Sequence, residues 1–337
     1  MKKEKIYKVG IAGYGVVGKR RKQVIDEYPN LKVVAVCDKT FKEPQIIENN
    51  INAYSNYSDL LTEDIDIVFV CLTNDMAPIV TIESLKNGKH VFCEKPPGRT
   101  VDDIKRVIEQ EKKSNLVLKY GFNHRYHKSV QMAIDIIRSK KLGELVNIRG
   151  VYGKSKIVSF KSGWRSKREI AGGGILLDQG IHMIDLILLF CSEIVEIKSF
   201  ISNKYWNHNV EDNAYALLKD KAGVITILHS SATEWEHKFN MNITLSEGYL
   251  NLTGILSGSK SYGEETITIG ERNENSEVGQ LGSKTLKFLT DDSWKLEVEE
   301  FVDAIIHKKE IINGRSKDAL KSMQLVFEIY NEDKEWI

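Results

Sequence analysis

The sequence predicts an α/β protein in which a doubly wound parallel sheet is followed by an α+β domain with a mostly antiparallel sheet. Three observations predict this division. A glycine-rich turn joins a strand to a helix near the N-terminus. Strands and helices then alternate up to about residue 122, as in parallel sheets with crossover helices. Beyond that point, apolar residues recur with the period of two that is typical of hairpin-linked strands.

The first predicted unit is a dinucleotide-binding fingerprint. Residues 6–12 are predicted as a buried strand, a helix should run to about residue 28, and a second strand at 31–37 ends at Asp38. The turn between the first strand and the helix consists of Gly13, Tyr14, Gly15, Val16, Val17 and Gly18. Gly13 permits a tight turn, Gly15 admits a pyrophosphate and Gly18 allows close packing of helix on strand.

The second strand of this fingerprint predicts which nicotinamide cofactor is preferred. Asp38 can accept hydrogen bonds from a ribose diol and would repel a 2′-phosphate. We therefore expect NAD, with NADP less favoured. The adjacent Lys39 leaves NADP open, because a neighbouring cation can admit the phosphate.

The alternation of strands and helices then continues with strands at 64–72, 90–95 and 116–122 and helices at 76–87 and 101–113. Ligands of such sheets bind beyond the carboxyl ends of the strands. The residues expected at those ends are Cys71, Leu72, Thr73, Glu94, Lys95 and Asn123. A lysine held there by Pro96 and Pro97 could stabilise the alkoxide-like transition state of hydride transfer.

The pattern changes after about residue 123, which predicts one domain at 1–123 and a second at 124–337. The second domain should begin with a helix at 128–140 and end with helices at 292–307 and 316–331. Between them we predict strands at 145–152, 194–202, 213–219, 223–231, 241–246, 248–254, 264–270 and 285–290.

Composition excludes some classes of function. Lys and Arg number 48 against 47 Asp and Glu, so a net charge of +1 gives no reason to expect nucleic acid or an anionic membrane as a partner. The four cysteines form no CxxC pair, and no run of 18 apolar residues is present. A reducing cytoplasm is the expected setting.

The stretch 172–190, GGGILLDQGIHMIDLILLF, is the strongest candidate for acid–base chemistry. If 176–190 is helical, Asp178, His182 and Asp185 fall at i, i+4 and i+7 and share one face. A carboxylate one turn from an imidazole can hold the ring's tautomer and support its cationic form. A capped core helix with a buried histidine is the alternative that this stretch alone leaves open.

These motifs together resemble the glucose–fructose oxidoreductase / inositol dehydrogenase / MocA (Gfo/Idh/MocA) family. The resemblance rests on GxGxxG at 13–18, AVCD at 35–38, EKP at 94–96, GFNHRYH at 121–127 and GGGILLDQGIHMIDL at 172–186. It implies a Rossmann domain and an α+β domain whose large open sheet face serves a homo-oligomer, a dimer or tetramer. It implies nicotinamide-dependent oxidation or reduction of a sugar or cyclitol.

The resemblance also implies site residues. Lys95 matches the family's catalytic lysine, Asp178 and His182 match its Asp–His pair, and Asp185 is left with a structural role. Asn123, Arg125 and the adjoining Tyr126 match a segment beside nicotinamide and substrate. The chain departs from the pattern at 71–76, where Cys-Leu-Thr-Asn-Asp-Met replaces the frequent Thr-Pro-Asn-x-x-His.

A basic segment before the triple glycine predicts a large or anionic substrate. Residues 154–168 contain Lys154, Lys156, Lys161, Arg165, Lys167 and Arg168. Trp164 offers a face for stacking and Arg165 a bidentate contact with phosphate or carboxylate. A nucleotide-linked sugar or sugar phosphate would use such a segment, although solvated lysines would give the same pattern.

Two other functions stay open at this point. A sugar sensor could bind a dinucleotide without catalysis, but it would have no need to keep Lys95, Asp178 and His182 together. A lyase or hydrolase could use Asp178, His182 and Asp185 as metal ligands. No second histidine-rich cluster completes such a shell in the sequence, so no metal is expected.

Overall fold

The computed structural model describes residues 5–156, 163–256, 261–272 and 282–336. The chain divides into two compact units. The first unit takes the chain up to Phe122 together with Trp294–Leu320, and the second takes Asn123–Ser293 and the chain from Lys321 onward. Lys161 of the basic segment lies outside the described residues.

The first unit is built on a seven-stranded sheet with the strand order β3-β4-β2-β1-β5-β6-β7. Its strands are β1 (Tyr7–Ala12), β2 (Leu31–Cys37), β3 (Gln45–Ile47), β4 (Ile51–Tyr54), β5 (Ile67–Val70), β6 (His90–Glu94) and β7 (Leu118–Gly121). All neighbouring strands pair in parallel except β3, which is antiparallel to β4. The helices of this part are α1 (Val16–Ile25), α2 (Tyr57–Leu61), α3 (Ala77–Lys86) and α4 (Val101–Glu111).

The core of the first unit explains why a later helix belongs to it. Helix α8 (Ser293–His307) follows far along the chain, yet its Phe301 packs edge-on against Phe69 of β5 and Phe92 of β6. These two phenylalanine rings are themselves stacked 5.0 Å apart. The division into residues 1–123 and 124–337 therefore differs from the structure at 294–320, because the apolar face of α8 is buried on the parallel sheet.

The second unit contains an eight-stranded sheet with the order β15-β14-β13-β12-β8-β11-β10-β9. Its strands are β8 (Leu145–Ser155), β9 (Ile194–Ser202), β10 (Asn213–Asp220), β11 (Ile225–Ser231), β12 (Thr233–Leu245), β13 (Gly248–Thr253), β14 (Glu265–Glu271) and β15 (Gly282–Phe288). Every pair is antiparallel except β8 with β11. The helices are α5 (Lys128–Ser139), α6 (Arg168–Ala171), α7 (Ile181–Phe190) and the later part of α9 (Ser316–Glu332).

One face of this second sheet is covered and the other is open. Helix α7 packs on β8, where Gly150 leaves room for Met183: a Cβ at position 150 would lie 2.8 Å from its sulfur. On the open face, Phe200 is 76% exposed and Tyr215 and Leu217 are nearly half exposed. The mostly antiparallel, open-faced sheet expected from the sequence is confirmed.

The differences from the predicted elements are local. The sequence did not predict β3, β4 and α2, whose short lengths leave little periodicity to detect. Strand β12 begins at Thr233, well before the predicted residue 241: Thr233 pairs with Ser155 of β8, and pairing resumes at Lys238 after a register shift. The predicted continuous helix at 176–190 begins instead with a π-helical turn, Leu176–Gly180.

One stretch has the length and composition of a membrane-spanning helix. Among the described residues it is Arg168–Phe190, with a mean hydropathy of 1.5 over its most apolar window. Of that window, 72% is buried inside the protein. The core helix of a globular protein has the same properties, so this is weak evidence for a membrane.

Candidate functional site

The glycine-rich turn has the geometry that a dinucleotide requires. Gly13 adopts a φ of 92°, and a Cβ there would lie 2.3 Å from the carbonyl oxygen of Cys71. A Cβ at Gly18 would lie 2.0 Å from the carbonyl oxygen of Gly13, so neither position admits a side chain. A Cβ at Gly15 would meet nothing within 4 Å. The turn therefore packs closely against the protein at Gly13 and Gly18, and it leaves open space at Gly15, the N-cap residue of helix α1.

The start of helix α1 is available to an anion. Gly15 is the N-cap residue and no side chain caps the first turn of the helix. Uncapped backbone N–H groups and the positive end of the helix dipole favour phosphate at such a position. Val16, next to the cap, is 88% exposed. These residues fit the pyrophosphate of a dinucleotide.

Asp38 stands at the end of β2 with its carboxylate fixed. One oxygen accepts a hydrogen bond from the backbone N–H of Tyr14 at 3.0 Å. The other accepts from the backbone N–H and the hydroxyl of Thr40, at 3.0 and 2.8 Å. The acid is thus tied to the glycine-rich turn and is only half-buried, in a position suited to a ribose diol.

The loop after β5, where the sequence departs from the family pattern, is internally bonded. The Thr73 hydroxyl donates to Asp75 at 2.5 Å. Cys71 lies beneath the glycine-rich turn, and burial raises the pKa of its thiol well above the ordinary value. A raised pKa disfavours the thiolate form that a cysteine nucleophile needs.

Lys95 follows β6 in a rigid turn. Pro96 and Pro97 after it are buried, and the turn ends at helix α4, where Thr100 and Asp103 form a capping box. Glu94, just before Lys95, accepts a 2.6 Å hydrogen bond from the guanidinium of Arg21 in helix α1. The half-buried Lys95 is consequently held from both sides, at the same sheet edge as the glycine-rich turn.

Arg21 is a residue that sequence reasoning missed. It is fully buried, bonds Glu297 at 2.7 Å in addition to Glu94, and lies between the rings of Phe92 and Trp294, 4.3 and 4.0 Å from their centroids. A buried guanidinium needs such partners, because desolvation of an isolated charge is very costly. The only sequence signal was an arginine on the inner face of a dinucleotide-binding helix.

In the second unit, the triple glycine brings the backbone close to its neighbours. A Cβ at Gly173 would lie 2.4 Å from the Tyr330 hydroxyl, and one at Gly174 would lie 2.0 Å from the carbonyl oxygen of Glu211. The buried Glu211 carboxylate accepts hydrogen bonds from the N–H groups of Gly174 and Leu176 at 2.7 and 2.9 Å, and from Tyr330 at 2.6 Å. Glu211 thus anchors the start of the π-helical turn.

Asp178 lies in this turn and His182 in the first turn of α7. The carboxylate of Asp178 accepts from Lys154 at 3.1 Å and from Arg165 at 3.3 Å. Arg165 in turn lies over the ring of Trp164, 4.3 Å from its centroid. His182 is 4% exposed and stacks on His124, with ring centroids 3.8 Å apart.

The turn at 123–126 holds three predicted site residues, all of them buried. Arg125 makes a bidentate ion pair with Asp185, with N–O distances of 2.6 and 2.7 Å. Asn123 donates to Ser293 at 3.2 Å, and Tyr126 is 8% exposed. The guanidinium of Arg125 is therefore ion-paired with Asp185, and the structural role of Asp185 stays a prediction.

The described residues also bear on a metal site. Within residues 5–156, 163–256, 261–272 and 282–336, no group of three or more His, Cys, Asp or Glu side chains could hold a metal ion. Asp178 is engaged by Lys154 and Asp185 by Arg125, so both carboxylates face cations. The three candidate ligands of the lyase hypothesis are thus not gathered in one cluster in this part of the chain.

Comparison with family models assigns both halves of the chain to one family. Residues 7–122 match the oxidoreductase family model described as an NAD-binding Rossmann fold, and residues 130–251 match the GFO/IDH/MocA C-terminal domain. Together the two matches cover more than half of the chain.

Individual relatives agree with this assignment. The D-glucoside 3-dehydrogenase of Escherichia coli K12 is 32% identical over 46% of this chain and 45% of its own length, so the match spans less than half of that protein. The myo-inositol 2-dehydrogenase of Thermotoga maritima is 24% identical over 88% of this chain and 87% of its own.

Solved structures share the fold. A levoglucosan dehydrogenase in complex with NADH superposes with a TM-score of 0.84 at 17% identity, covering 98% of both chains. A 3-ketoreductase variant from Actinomadura kijaniata, in complex with TDP-benzene and NADP, gives a TM-score of 0.82 at 20% identity, covering 97% of this chain and 98% of its own.

Proposed function

The chain belongs to the Gfo/Idh/MocA family of oxidoreductases, and we propose that it transfers a hydride between a nicotinamide cofactor and a hydroxyl or keto group of a sugar or cyclitol. The observation that carries this proposal lies in the first unit. Strands β1, β5 and β6 are parallel neighbours, so the glycine-rich turn after β1 and Lys95 after β6 share one sheet edge. Two inter-strand spacings, about 10 Å, separate the strands that carry them.

We propose that three residues carry the chemistry. His182 takes the proton of the reacting hydroxyl during oxidation and returns it during reduction. Asp178 supports the imidazolium form of His182, and the ammonium of Lys95 stabilises the oxyanion that develops on the substrate. When bound, the nicotinamide supplies the hydride acceptor or donor. The alcohol thus loses a hydride and a proton, and a carbonyl group forms.

We propose NAD as the preferred cofactor. The support is the fixed carboxylate of Asp38, which would repel the 2′-phosphate of NADP. Lys39 is exposed beside it, and one structural relative was solved with NADP. The remaining cofactor contacts are assigned as predicted, to the turn 13–18, to Cys71, Leu72 and Thr73, and to Glu94, Lys95 and Asn123.

The finer proposal concerns the substrate, which we take to be an anionic sugar derivative such as a sugar phosphate or nucleotide-linked sugar. The side chains of Lys154 and Arg165 form ion pairs with Asp178, and Lys156 interacts electrostatically with the same carboxylate. Burial, helped by repulsion from Lys154, lowers the pKa of Lys156. Among the described residues, these three cations outnumber the single carboxylate of Asp178. A phosphate or carboxylate group on the substrate would balance the excess positive charge. Arg125 and Tyr126, both buried as His182 is, stay predicted substrate contacts.

The test is a matched set of substrates. Purified protein is incubated with NAD or NADP and with glucose, myo-inositol, glucuronate, glucose 6-phosphate and UDP-glucose, and NADH or NADPH absorbance is followed. We expect turnover with NAD and a preference for an anionic member over glucose. The Lys95→Ala and His182→Asn variants should lose turnover by roughly a hundredfold or more while still binding NADH. Full turnover in either variant would refute the assigned roles.

A sensor that binds the dinucleotide without chemistry is the alternative function. Tight NADH binding with no turnover on any sugar or cyclitol would favour it. The presence of Lys95, Asp178 and His182 in one chain argues against it, because binding alone needs none of them.

We further propose that the chain forms a homo-oligomer through the open face of its second sheet and works in the cytoplasm. The support for the interface is a row of exposed apolar side chains, since Phe200 lies opposite Tyr215 and Leu217 opposite Ile227. An apolar patch of this kind is typical of protein interfaces. Sedimentation of the wild type and of a Phe200→Glu variant tests it, and a monomeric wild type would refute it.

A further inference from the structure

His124 lies against the proposed acid–base catalyst and has no assigned role. Its ring and the His182 ring are nearly parallel, with an angle of 14° and a centroid distance of 3.8 Å. Both residues are buried, with 5% and 4% exposure. The ring of His124 is enclosed further by Phe239 and Tyr152, at centroid distances of 5.9 and 5.4 Å. His182 therefore has one whole face covered by a second imidazole.

A chain of hydrogen bonds determines the tautomer of His124. The hydroxyl of Ser293 donates to the Asp291 carboxylate at 2.6 Å, so its oxygen must accept the 3.2 Å bond from the Asn123 amide nitrogen. This orients the amide, and its oxygen faces Nδ1 of His124 at 3.3 Å. Because that oxygen can only accept, Nδ1 carries the proton.

The other nitrogen of His124 completes the chain. Nε2 lies 3.0 Å from the hydroxyl of Tyr152. Burial raises the pKa of Tyr152 well above its ordinary value, so the hydroxyl keeps its proton and can donate it. A neutral His124 with its proton on Nδ1 is compatible with each of these four contacts from Asp291 to Tyr152.

Three carboxylates of the second unit near this region each face a basic side chain. Asp185 is paired with Arg125, Glu265 with His127, and Asp178 with Lys154 and Arg165. Among the described residues, two further titratable rings pack here: His127 lies edge-on to His124 at 5.5 Å, and Tyr262 packs on Tyr152 at 5.4 Å. Two imidazolium rings stacked at 3.8 Å in this buried setting would repel strongly, so a state in which both rings are positively charged is unfavourable.

We propose that His124 is a positioning residue: a neutral imidazole that fixes the ring plane of His182 and leaves the catalytic proton to it. Stacking holds the imidazole in one orientation, and a general base must be oriented to within a fraction of an ångström. The hydrogen-bonded chain keeps His124 itself from competing for the proton. This inference rests on the proposed oxidoreductase function for its kinetic consequence, but the protonation states can be measured without turnover.

The kinetic test compares two variants. His124→Phe keeps a flat ring against His182 and removes the second titratable group, whereas His124→Leu removes the flat face. We expect kcat to fall about tenfold or more in the leucine variant, with the KM for NAD within about twofold, and the phenylalanine variant to recover most of it. The pH dependence of kcat/KM in the wild type should show one ionisation on its acidic side. The phenylalanine variant should show the same single ionisation.

The protonation states are measured on ¹⁵N-histidine-labelled protein by NMR titration, with resonances assigned from His124→Phe and His182→Asn. His182 should titrate as a single group, and His124 should remain the neutral Nδ1–H tautomer throughout. A titrating His124, or an unchanged kcat in His124→Leu, would overturn the inference. Absence of turnover in the wild type would instead refute the proposed function and leave the NMR result interpretable.

Discussion

The buried ion pair between Arg125 and Asp185 makes a quantitative prediction that also separates two roles for Arg125. Its bidentate geometry has N–O distances of 2.6 and 2.7 Å, and both side chains are almost inaccessible to solvent. Two unit charges about 4 Å apart attract by roughly 4 kcal/mol at an effective dielectric constant of about 20. Removing one partner leaves the other buried and uncompensated.

We therefore expect Arg125→Met and Asp185→Asn each to lower the free energy of unfolding by about 3–5 kcal/mol. The double variant should be destabilised by clearly less than the sum, since no charge is then stranded. The resulting coupling energy should be about 3 kcal/mol. Urea denaturation of the four proteins, followed by circular dichroism, measures it.

The matched control is the exposed pair Lys198–Glu332 in the same unit. Its N–O distance is 2.7 Å, but the side chains are 66% and 34% exposed. The equivalent double-mutant cycle with Lys198→Met and Glu332→Gln should give a coupling energy below about 1 kcal/mol. Additive effects at Arg125 and Asp185, with a raised KM for the sugar in Arg125→Met alone, would refute the structural interpretation and favour substrate binding by Arg125.

Three further predictions follow from particular residues. Burial raises the pKa of Glu297 from 4.5 to about 7, so the folded protein holds a proton that the unfolded chain releases between these pH values, and stability should fall as the pH rises through them. The free energy of unfolding should fall by about 3 kcal/mol across this pH window. Urea titrations at several pH values should show that Glu297→Gln abolishes this fall. An unchanged pH dependence in the variant would contradict the raised pKa of Glu297. Gly174→Ala should unfold or aggregate, because its Cβ would lie 2.0 Å from the Glu211 carbonyl oxygen. Gly15→Ala should fold normally, because its Cβ meets nothing within 4 Å. Fluorescence titration should show that Gly15→Ala binds NADH more weakly than the wild type. Asp38→Ser should lower the KM for NADP relative to NAD, and a variant that still strongly prefers NAD would show that Asp38 does not set the preference.

Much of the first unit could be predicted because its signals are local. The turn 13–18 and the strand 31–37 lie within one βαβ unit, and the observed β2 has the predicted bounds. Candidate site residues such as Lys95 and His182 were found in the same way, because the chemistry needs those residue types at strand ends or on one helix face. Their catalytic roles stay predictions.

The contacts that support these residues are remote along the chain. Arg21 bonds Glu297, which lies 276 positions away in the sequence, and Arg125 bonds Asp185, which lies 60 positions away. A periodicity of 2 or 3.6 residues carries no information about such partners. The sequence placed Arg125 in a segment expected beside nicotinamide and substrate, and it gave no sign of the ion pair with Asp185.

The sequence by itself determined the fold class, the dinucleotide fingerprint and the candidate residues for moving a proton or stabilising an oxyanion, because these depend on local pattern and residue chemistry. Only the tertiary structure decided that α8 completes the first core, that Glu211 holds the turn carrying Asp178, and that His124 covers His182. The physical reason is that burial makes unpaired charges and polar groups costly. Their partners are therefore fixed by packing between distant segments, which no single stretch of the chain encodes.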